Sequence, residues 1–360
     1  ILSRPNIASK NWIARQYDHE VQGGNVLKPL AGKYRDIPGD AVVIRPHLPS
    51  LRGIAFTQSI LPTYGLIDPY AMVAATIDEA VRRLLVVGSD LEQIGGVDNF
   101  CWPSIQYDPQ ENPDGKYKAA QLVRANWALR DICLKFGIPL LSGKDSMYVD
   151  GYINGTFGEA HRISGLPTFQ FTATSIVPDV RNCVSMDVKV PGDLIYCLGE
   201  TKDELGGSEY YDLLENVGLN VPHLDGIPEK NHYAALQRAI EAGLISATHG
   251  VYRGGLGIHL ALMALAGDLG VDVDLAKVPV SSPLRSDKLL FSESCGRVIL
   301  CVDPKKKKPF EKLMAGCRME TIGRVRKDQN FNIEDGKRIL IKTRLKPLRE
   351  AFHQTFGGLI

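Results

Sequence analysis

Short apolar strand patterns alternate with long helical patterns along this chain, and this alternation limits the possible folds more than any single motif. In the first half, helical periodicity runs from Asp68, which can cap a helix with Pro69 in its first turn, to near Gly88. A second helical pattern covers residues 116–136 and ends before Gly137. Strand candidates surround these helices at residues 41–44, 53–56, 138–141 and 167–177.

The same alternation returns in the second half, after a polar turn at residues 178–183. Strand patterns lie at residues 194–198 and 298–302, and helical patterns lie at residues 233–243 and 255–267. Strands mixed with helices in both halves predict a mixed α/β (α+β) fold, and 360 residues favour two domains. We predict a lead-in segment at residues 1–40, a first domain at 41–178, a second domain at 179–345 and a tail at 346–360.

Composition argues against several classes of partner and site. Lys and Arg number 42 against 41 Asp and Glu, so we expect binding neither to nucleic acid nor to a membrane surface. No run approaches the roughly 20 apolar residues of a membrane span. The 7 cysteines show no CxxC spacing, which argues against zinc or a disulfide framework and fits the cytoplasm. Because the sequence starts at Ile1 and not at Met, we expect a piece of a longer protein.

Three glycine-containing loops at strand ends are candidates for phosphate binding, at residues 142–147, 204–208 and 252–256. Backbone N–H groups beside glycine can approach a phosphate closely. None of the three has the GxxxxGK[ST] or GxGxxG spacing of the common nucleotide-binding loops. Each is also compatible with an ordinary turn, and the residues alone leave both interpretations open.

Two neighbouring carboxylates, Asp78 and Glu79, lie on the first predicted helix. Adjacent helical residues point about 100° apart, so the two side chains cannot both face one ligand squarely. A buried carboxylate needs a cation or a donor, and Mg²⁺ takes such oxygen ligands. Arg82 or Arg83, at helical spacing, would provide an ion pair instead. His249 precedes the third glycine loop, but no spacing identifies it as a base or a metal ligand.

A series of short motifs, spread over nearly the whole chain, carries a family resemblance. They are Asp68-Pro-Tyr-Ala-Met72, Ile77-Asp-Glu-Ala-Val-Arg82, Val97-Asp-Asn-Phe100, Gly143-Lys-Asp-Ser-Met147, Leu205-Gly-Gly-Ser208, Gly254-Gly-Leu256 and Leu290-Phe-Ser-Glu-Ser294. In order and spacing they resemble the second, C-terminal half of the synthetase subunit of phosphoribosylformylglycinamidine synthase. That family belongs to the aminoimidazole ribonucleotide synthetase-like superfamily.

The resemblance implies a two-domain unit, in which an N-terminal sheet domain pairs with a partner and a C-terminal α/β domain follows. The family converts formylglycinamide ribonucleotide, ATP and glutamine-derived ammonia to formylglycinamidine ribonucleotide in purine biosynthesis. ATP and Mg²⁺ are the implied cofactors. The implied partners are the N-terminal half of the same synthetase and a glutaminase, and an isolated half is expected to form a homodimer.

The resemblance also implies roles for individual residues. It makes Asp98 and Gly143 ATP-contacting positions and Ser146 a substrate-contacting position. Lys144 stands where many members have an Asn that binds magnesium. A protonated lysine cannot ligate a metal, so we expect Lys144 to meet a phosphate directly or Asp145 to take the cation.

An auxiliary nucleotide site of longer relatives is matched by a second group of residues. The group comprises Gly206, Gly207, His249, Ser292 and Glu293, with Glu79 as the implied metal ligand. Gly250 and Arg253 stand where those relatives carry aspartates, and Arg83 stands where an Asn ligand is expected. Carboxylates and the metal balance a polyphosphate's charge, so we expect this site to be degenerate.

The resemblance implies no catalytic residue in this chain, because the family's catalytic histidines lie in its first half. We therefore expect the isolated chain to be inactive. Two alternatives remain: an inert structural or dimerisation module of the same enzyme, and a self-contained ATP-dependent kinase or synthetase of the superfamily that acts as a homodimer.

Overall fold

The computed structural model describes residues 1–18, 20–156 and 158–359. It contains two large β-sheets, and a buried helix lies between them. His19, Phe157 and Ile360 lie outside the described residues. The strands are β1 Asn25–Leu27, β2 Leu30–Ala31, β3 Ile37–Pro38, β4 Val42–Ile44, β5 Gly53–Ile60, β6 Ile94–Trp102, β7 Leu140–Met147, β8 Asp150–Asn154, β9 Ala160–Ser164, β10 Thr168–Val177, β11 Leu194–Leu198, β12 Ala247–Gly250, β13 Val271–Asp274, β14 Val298–Val302, β15 Met319–Val325, β16 Asn330–Asp335 and β17 Arg338–Arg344. The helices are α1 Asn11–Ala14, α2 Pro69–Leu85, α3 Gly115–Phe136, α4 Glu209–Leu213, α5 Ile227–Glu241, α6 Gly255–Gly267, α7 Ser286–Phe291, α8 Lys307–Leu313 and α9 Leu345–Gln354.

The first sheet has the strand order β1-β4-β5-β10-β6-β7, and its neighbours are antiparallel except for the parallel pair β6 and β7. The second sheet has the order β12-β14-β11-β15-β13-β16-β17, with β13 and β16 as its parallel pair. Helices α2 and α3 pack together beside the first sheet. The predicted mixed α/β fold is confirmed.

Helix α2 lies at the junction between the two large sheets; the first sheet with α2 and α3 is here called the first domain, and the second sheet with its helices is called the second domain. It begins as its sequence predicts, because Oδ1 of Asp68 accepts the backbone N–H of Tyr70 at 2.8 Å and Pro69 fills the first turn. Apolar residues of α2 pack on the first sheet, whereas Asp78 and Arg82 point to the second domain and are buried there. Buried charges need partners, so this side of α2 must be matched by polar groups across the junction.

Two apolar cores lie on opposite faces of the second sheet. One core lies between the first sheet and the second domain and includes Val81 of α2, Phe171 of β10 and Leu300 of β14. The other core includes Ile299 of β14 and Leu265 of α6. Successive strand residues point to opposite faces, which is why neighbours in β14 enter different cores.

The lead-in segment contacts both domains. Strand β1 pairs with β4 and so becomes an edge of the first sheet. Leu2 and Ile37 of the same segment are buried in the second core, together with side chains of α6. The lead-in segment therefore contacts both sides of the junction, through β1 on one side and through Leu2 and Ile37 on the other.

Strand β7 differs from the sequence prediction, which has a short strand at residues 138–141 followed by a glycine loop. In the structure β7 continues through Gly143, because its parallel pairing with β6 extends from Gly96 and Leu140 to Trp102 and Met147. The predicted loop is wrong for this segment. The residues instead form the edge strand of the first sheet, and no strand of the described residues pairs with the outer side of the β7 backbone.

One face of the first sheet, here called the open face, points away from α2 and α3. Along β5 the side chains alternate, so that Ala55 and Thr57 are buried while Phe56, Gln58 and Ile60 face outward. Phe56 and Ile60 are 46% and 48% exposed. An apolar patch of this kind on a sheet indicates an interaction surface.

None of the helices in the described ranges combines the length and apolar character needed to cross a bilayer.

Candidate ligand sites

A cavity of about 540 Å³ lies at the junction of the two domains. Its wall comes from the lead-in segment, the end of β5, α2, the loop after β12 and α6. The lining residues are Asn6, Ile7, Lys10, Pro38, Gly39, Gln58, Ser59, Ile60, Pro62, Thr63, Glu79, Arg83, His249, Tyr252, Arg253, His259 and Leu262. Because Gln58 and Ile60 also belong to the open face, the cavity adjoins that face.

The α2 wall of the cavity carries an ion pair. Arg83 donates from Nε to Glu79 at 2.9 Å, one helical turn away, and its guanidinium lies 4.1 Å from the ring centroid of Tyr252. Burial opposes the charge of Arg83, but Glu79 and Tyr252 together raise its pKa above the ordinary value. Of the two possibilities for Glu79, metal ligand or ion-pair partner, the structure has the ion pair.

A chain of hydrogen bonds forms the neighbouring wall. A carboxylate oxygen of Asp40 lies 2.8 Å from Nδ1 of His249, whose Nε2 lies 2.8 Å from Nδ1 of His259. Burial favours the neutral acid, yet His249, Tyr252 and Arg83 hold the pKa of Asp40 below its usual value. Burial lowers the pKa of His259 well below its usual value, and interactions with His249 and Arg83 lower it further.

The third wall holds Arg253, which forms an ion pair with Glu209 of α4. Behind it, Oε1 of Glu293 accepts the backbone N–H groups of Gly254 at 2.7 Å and of Glu209 at 2.9 Å, and Oε2 accepts the hydroxyl of Tyr64 at 2.5 Å. Burial raises the pKa of Glu293, although Arg253 and these donors oppose the shift. Glu293 thus fixes the start of α6 from behind the cavity wall.

The remaining predicted residues of the auxiliary site serve packing. Gly207 has a φ of +70°, and a Cβ there would lie 2.9 Å from Tyr64, so only glycine fits. Ser292 donates from Oγ to the carbonyl of Lys202 at 2.7 Å. Gly206 donates its N–H to the carbonyl of Asn220. The structure therefore brings Glu79 and His249 to the cavity and places Gly206, Gly207, Ser292 and Glu293 behind it.

Magnesium does not fit at Glu79. Its carboxylate is already paired with Arg83 at 2.9 Å, and a second guanidinium, that of Arg253, lines the same cavity. Within residues 1–18, 20–156 and 158–359, no group of three or more His, Cys, Asp or Glu side chains is arranged to hold a metal ion. The charge of Glu79 is therefore balanced by the side chain of Arg83 and not by a metal ion.

The second group of predicted residues lies at the β6–β7 edge of the first sheet. Asp98 is opposite Gly143, and Phe100 is opposite Asp145. A Cβ on Gly143 would lie 2.9 Å from a carboxylate oxygen of Asp98, so the glycine makes room for that side chain. Burial, with a contribution from Asp145, raises the pKa of Asp98. Asp98 and Asp145 therefore lie near each other on the helix side of the sheet.

Lys144 and Ser146 lie on the other side of the sheet. They are opposite Asn99 and Cys101, whose side chains belong to the open face, and Lys144 donates to the Ser146 hydroxyl. Strand alternation thus separates Lys144 from Asp98, although both were predicted to contact ATP. No residue of the β6–β7 group is among the described residues that line the inter-domain cavity.

Sequence reasoning missed His259, which lines the cavity, and Asp40, which lies behind its wall, and it gave Tyr252 only as part of the candidate phosphate loop at residues 252–256. Asp40 follows a Pro-Gly turn and gave no signal, because its partners are more than 200 residues away in sequence. His259 did give one. It is an ionisable residue inside the otherwise apolar helix α6, and such a residue needs a buried partner.

Comparison with known proteins agrees with the fold and the motifs. Residues 190–336 match the family described as AIR synthase related protein, C-terminal domain. The whole chain is 35% identical, over 363 aligned residues, to the phosphoribosylformylglycinamidine synthase subunit PurL of Methanocaldococcus jannaschii, and it spans 46% of that protein.

Solved structures of low sequence identity share the fold. T. maritima PurL complexed with FGAR matches with a TM-score of 0.70 at 17% identity, over 94% of this chain and 50% of that one. T. maritima PurL complexed with ATP matches with a TM-score of 0.66 at 18% identity, over 94% of this chain and 48% of that one. The chain spans about half the length of the relatives it matches. In sequence and fold the chain is therefore similar to about half of a PurL subunit, and its residues 190–336 match the AIR synthase related C-terminal domain.

Proposed function

We propose that this chain is the ATP- and substrate-binding C-terminal half of a cytoplasmic, ATP-dependent carbon–nitrogen ligase of purine biosynthesis. In the proposed reaction, formylglycinamide ribonucleotide, ATP and glutamine-derived ammonia give formylglycinamidine ribonucleotide, ADP and phosphate. The observation that carries the proposal is the match of the entire chain, at 35% identity, to a protein named phosphoribosylformylglycinamidine synthase subunit PurL.

The proposed site is the β6–β7 edge of the first sheet. Lys144 would contact a phosphate of ATP through its ammonium group, and Ser146 would contact the ribonucleotide through its hydroxyl. Asp98 and Gly143 lie on the opposite side of the same edge strand. Because β7 is the last strand of the first sheet among the described residues, a ligand at this edge can reach both sides of the sheet and the backbone between them. The contribution of these residues is binding and orientation.

Mg²⁺, if it accompanies ATP, is proposed to lie near Asp98 and Asp145 rather than at Glu79. The repulsion between the two carboxylates contributes to the raised pKa of Asp98, and a cation would relieve it. Carboxylate oxygens are suitable ligands for this hard ion. When bound, the ion would neutralise phosphate charge.

The N-terminal half of the same synthetase is the proposed partner of the open face. Supporting this, the exposed apolar residues Ile44, Phe56 and Ile60 lie on the open face, and the related PurL chains are about twice as long as this one. A glutaminase that supplies ammonia is the second proposed partner. In the absence of the other half, two copies of this chain are proposed to cover each other's open face.

The inter-domain cavity is proposed to be a degenerate nucleotide site. Its carboxylate Glu79 is paired with Arg83, and Arg253 is paired with Glu209, which Arg4 also contacts. Within each pair the side chains balance one another's charge, so they are not available to balance the charge of a metal–polyphosphate complex. The same closed ion pairs favour a second candidate function, an inert structural module that only supports an active site formed elsewhere.

Coexpression with the upstream half tests the proposal. This chain, the upstream half and the two together are supplied with formylglycinamide ribonucleotide, ATP and ammonium, and amidine and ADP are measured. Turnover is expected only from the combination. Lys144→Ala in this chain should reduce it, whereas Lys346→Ala, at an 84% exposed lysine side chain of α9, should not. Full activity of a Lys144→Ala, Ser146→Ala double variant would favour the structural module.

A further inference from the structure

A line of hydrogen bonds crosses the domain junction through two histidine rings. Asp40, just before β4 of the first sheet, lies 2.8 Å from Nδ1 of His249 on β12 of the second sheet. Nε2 of His249 lies 2.8 Å from Nδ1 of His259 on α6, and Nε2 of His259 lies 3.1 Å from the carbonyl oxygen of Arg253. Asp40, His249 and His259 are all buried.

The protons needed by this line can be counted. Its two ends, the Asp40 carboxylate and the Arg253 carbonyl, are acceptors, so the ring nitrogen that faces each end must carry a proton. The contact between His249 and His259 needs a third proton, on one of the two facing nitrogens. Two neutral imidazoles carry only two ring protons. Complete pairing therefore requires one of the two rings to be an imidazolium.

The positive charge belongs on the ring next to the carboxylate. Two further hydrogen bonds favour the ionised form of Asp40, which accepts the hydroxyl of Tyr252 at 2.6 Å and the N–H of Gly250 at 3.2 Å. His259 has the opposite surroundings, because burial and the nearby guanidinium of Arg83 lower its pKa. A charged His249 and a neutral His259, protonated on Nε2, satisfy every contact in the line.

The other charged groups around the rings already have partners. From α2, Arg82 is paired with Asp78 and Arg83 with Glu79. From the loop after β12, Arg253 is paired with Glu209, and the Tyr252 hydroxyl donates to Asp40. Asp40 is therefore the anion in hydrogen-bond contact with the His249 ring.

We infer that His249 is held as an imidazolium between Asp40 and a neutral His259. Asp40, His249 and His259 with their three shared protons are here called the latch, because their hydrogen bonds hold the second domain against the first. The latch fixes one wall of the inter-domain cavity without any ligand. It does not depend on the activity proposed above, because it uses only groups of this chain. Losing its third proton would place two unprotonated nitrogens, or a nitrogen and a carbonyl, against each other.

Nitrogen-15 NMR of the chain with labelled histidine tests the proton count directly. At neutral pH, both nitrogens of His249 should show the chemical shifts of protonated nitrogen, whereas His259 should show one protonated nitrogen, Nε2, and one unprotonated nitrogen, Nδ1. His232 is the internal reference for a neutral ring, because its Nε2 accepts the N–H of Arg318 at 3.3 Å. An unprotonated nitrogen on His249 at neutral pH would overturn the inference.

The latch itself is tested with Asp40→Asn, which removes the counter-charge and keeps the side-chain shape. The His249 ring should then become neutral and show one unprotonated nitrogen. Hydrogen exchange at residues 247–254 should accelerate at least about tenfold, as expected when a charge-assisted contact is lost. Asp36→Asn is the matched control, since Asp36 is a carboxylate of the same segment that contacts Arg349 and His353 instead. Unchanged exchange in the Asp40 variant would refute the latch. If that variant fails to fold, the wild-type spectrum still decides the protonation state on which the latch rests.

Discussion

Nε of Arg82 lies 2.8 Å from a carboxylate oxygen of Asp78, one turn earlier on α2, and both side chains are buried between the two domains. Arg82 also donates to the carbonyl oxygens of Val251 at 2.6 Å and Arg297 at 3.1 Å in the second domain. Asp78 accepts the N–H of Gly296 at 3.1 Å. An ion pair within one helix is therefore also a set of contacts across the junction.

Replacing Arg82 by methionine should destabilise the chain by about 3–5 kcal/mol, because Asp78 would remain as a buried and unpaired charge. Urea denaturation followed by circular dichroism measures this loss. Arg130→Met is the control, because Arg130 pairs with Asp131 at the surface and such pairs contribute about 0–1 kcal/mol. Equal losses in the two variants would contradict the argument.

The free energy of unfolding should fall as the pH is lowered from about 6 to 5. The pKa of His259 is lowered in the folded protein, so below about 6.5 the unfolded chain takes up a proton that the folded chain does not. Asp40 has a lowered pKa as well, and its contribution should be lost only at more acid pH, below about 4. Denaturation curves at several pH values measure both effects. His259→Gln should remove the first slope and the exposed-site variant His47→Gln should keep it, while a slope that survives in His259→Gln would exclude His259 as its source.

In a protein that contains both halves, Lys144→Ala should weaken ATP binding by about 1.5–3 kcal/mol, the loss expected for a charge-assisted contact. Ser146→Ala should instead raise the KM for the ribonucleotide and leave ATP affinity nearly unchanged. Calorimetry and steady-state kinetics separate the two effects. If neither quantity changes in either variant, this part of β7 is only an edge strand.

The chain on its own should form no amidine from formylglycinamide ribonucleotide, ATP and ammonium, because the resemblance assigns the catalytic histidines to the other half. Product analysis by chromatography after long incubation checks this. Turnover by the purified chain that Lys144→Ala abolishes would show a self-contained enzyme and refute the half-enzyme proposal.

At micromolar concentration the isolated chain should self-associate through its open face, where Phe56 and Ile60 are about half exposed. Phe56→Glu should shift the population to monomer, because pairing would bury an unpaired charge. Tyr17→Glu, at an 83% exposed side chain of the lead-in segment, is the control. Sedimentation velocity gives the distribution, and a wild-type chain that is monomeric at high micromolar concentration would count against a pairing surface.

Local patterns in the sequence were sufficient for much of the fold. Helices α2 and α3 were predictable because Asp68 caps one and Gly137, with a φ of +75°, ends the other, and both signals act within a few residues. Strand β7 was misjudged at Gly143, since a glycine is typical of a loop and only the distant pairing with β6 makes it a strand.

The candidate sites were less predictable, for a related reason. Sequence spacing alone gave Glu79 and Arg83 as a possible pair, and the structure has it. The face on which Lys144 lies depends on strand register, and the wall that His249 joins depends on Asp40, 209 positions away. Contacts of that range leave no periodic trace in the sequence.

The lead-in segment has a mechanical consequence. Strand β1 is hydrogen-bonded into the first sheet and ends at Leu27. Ten residues later, Ile37 is buried in the core that contains α6, on the other face of the second sheet. The polypeptide crosses the junction again between β10 and β11. Together with the return from Ile37 to β4, the polypeptide crosses the junction three times between β1 and β11. Three crossings restrain rotation at the junction, so a partner that docks on the open face would displace both domains together rather than rotate one against the other.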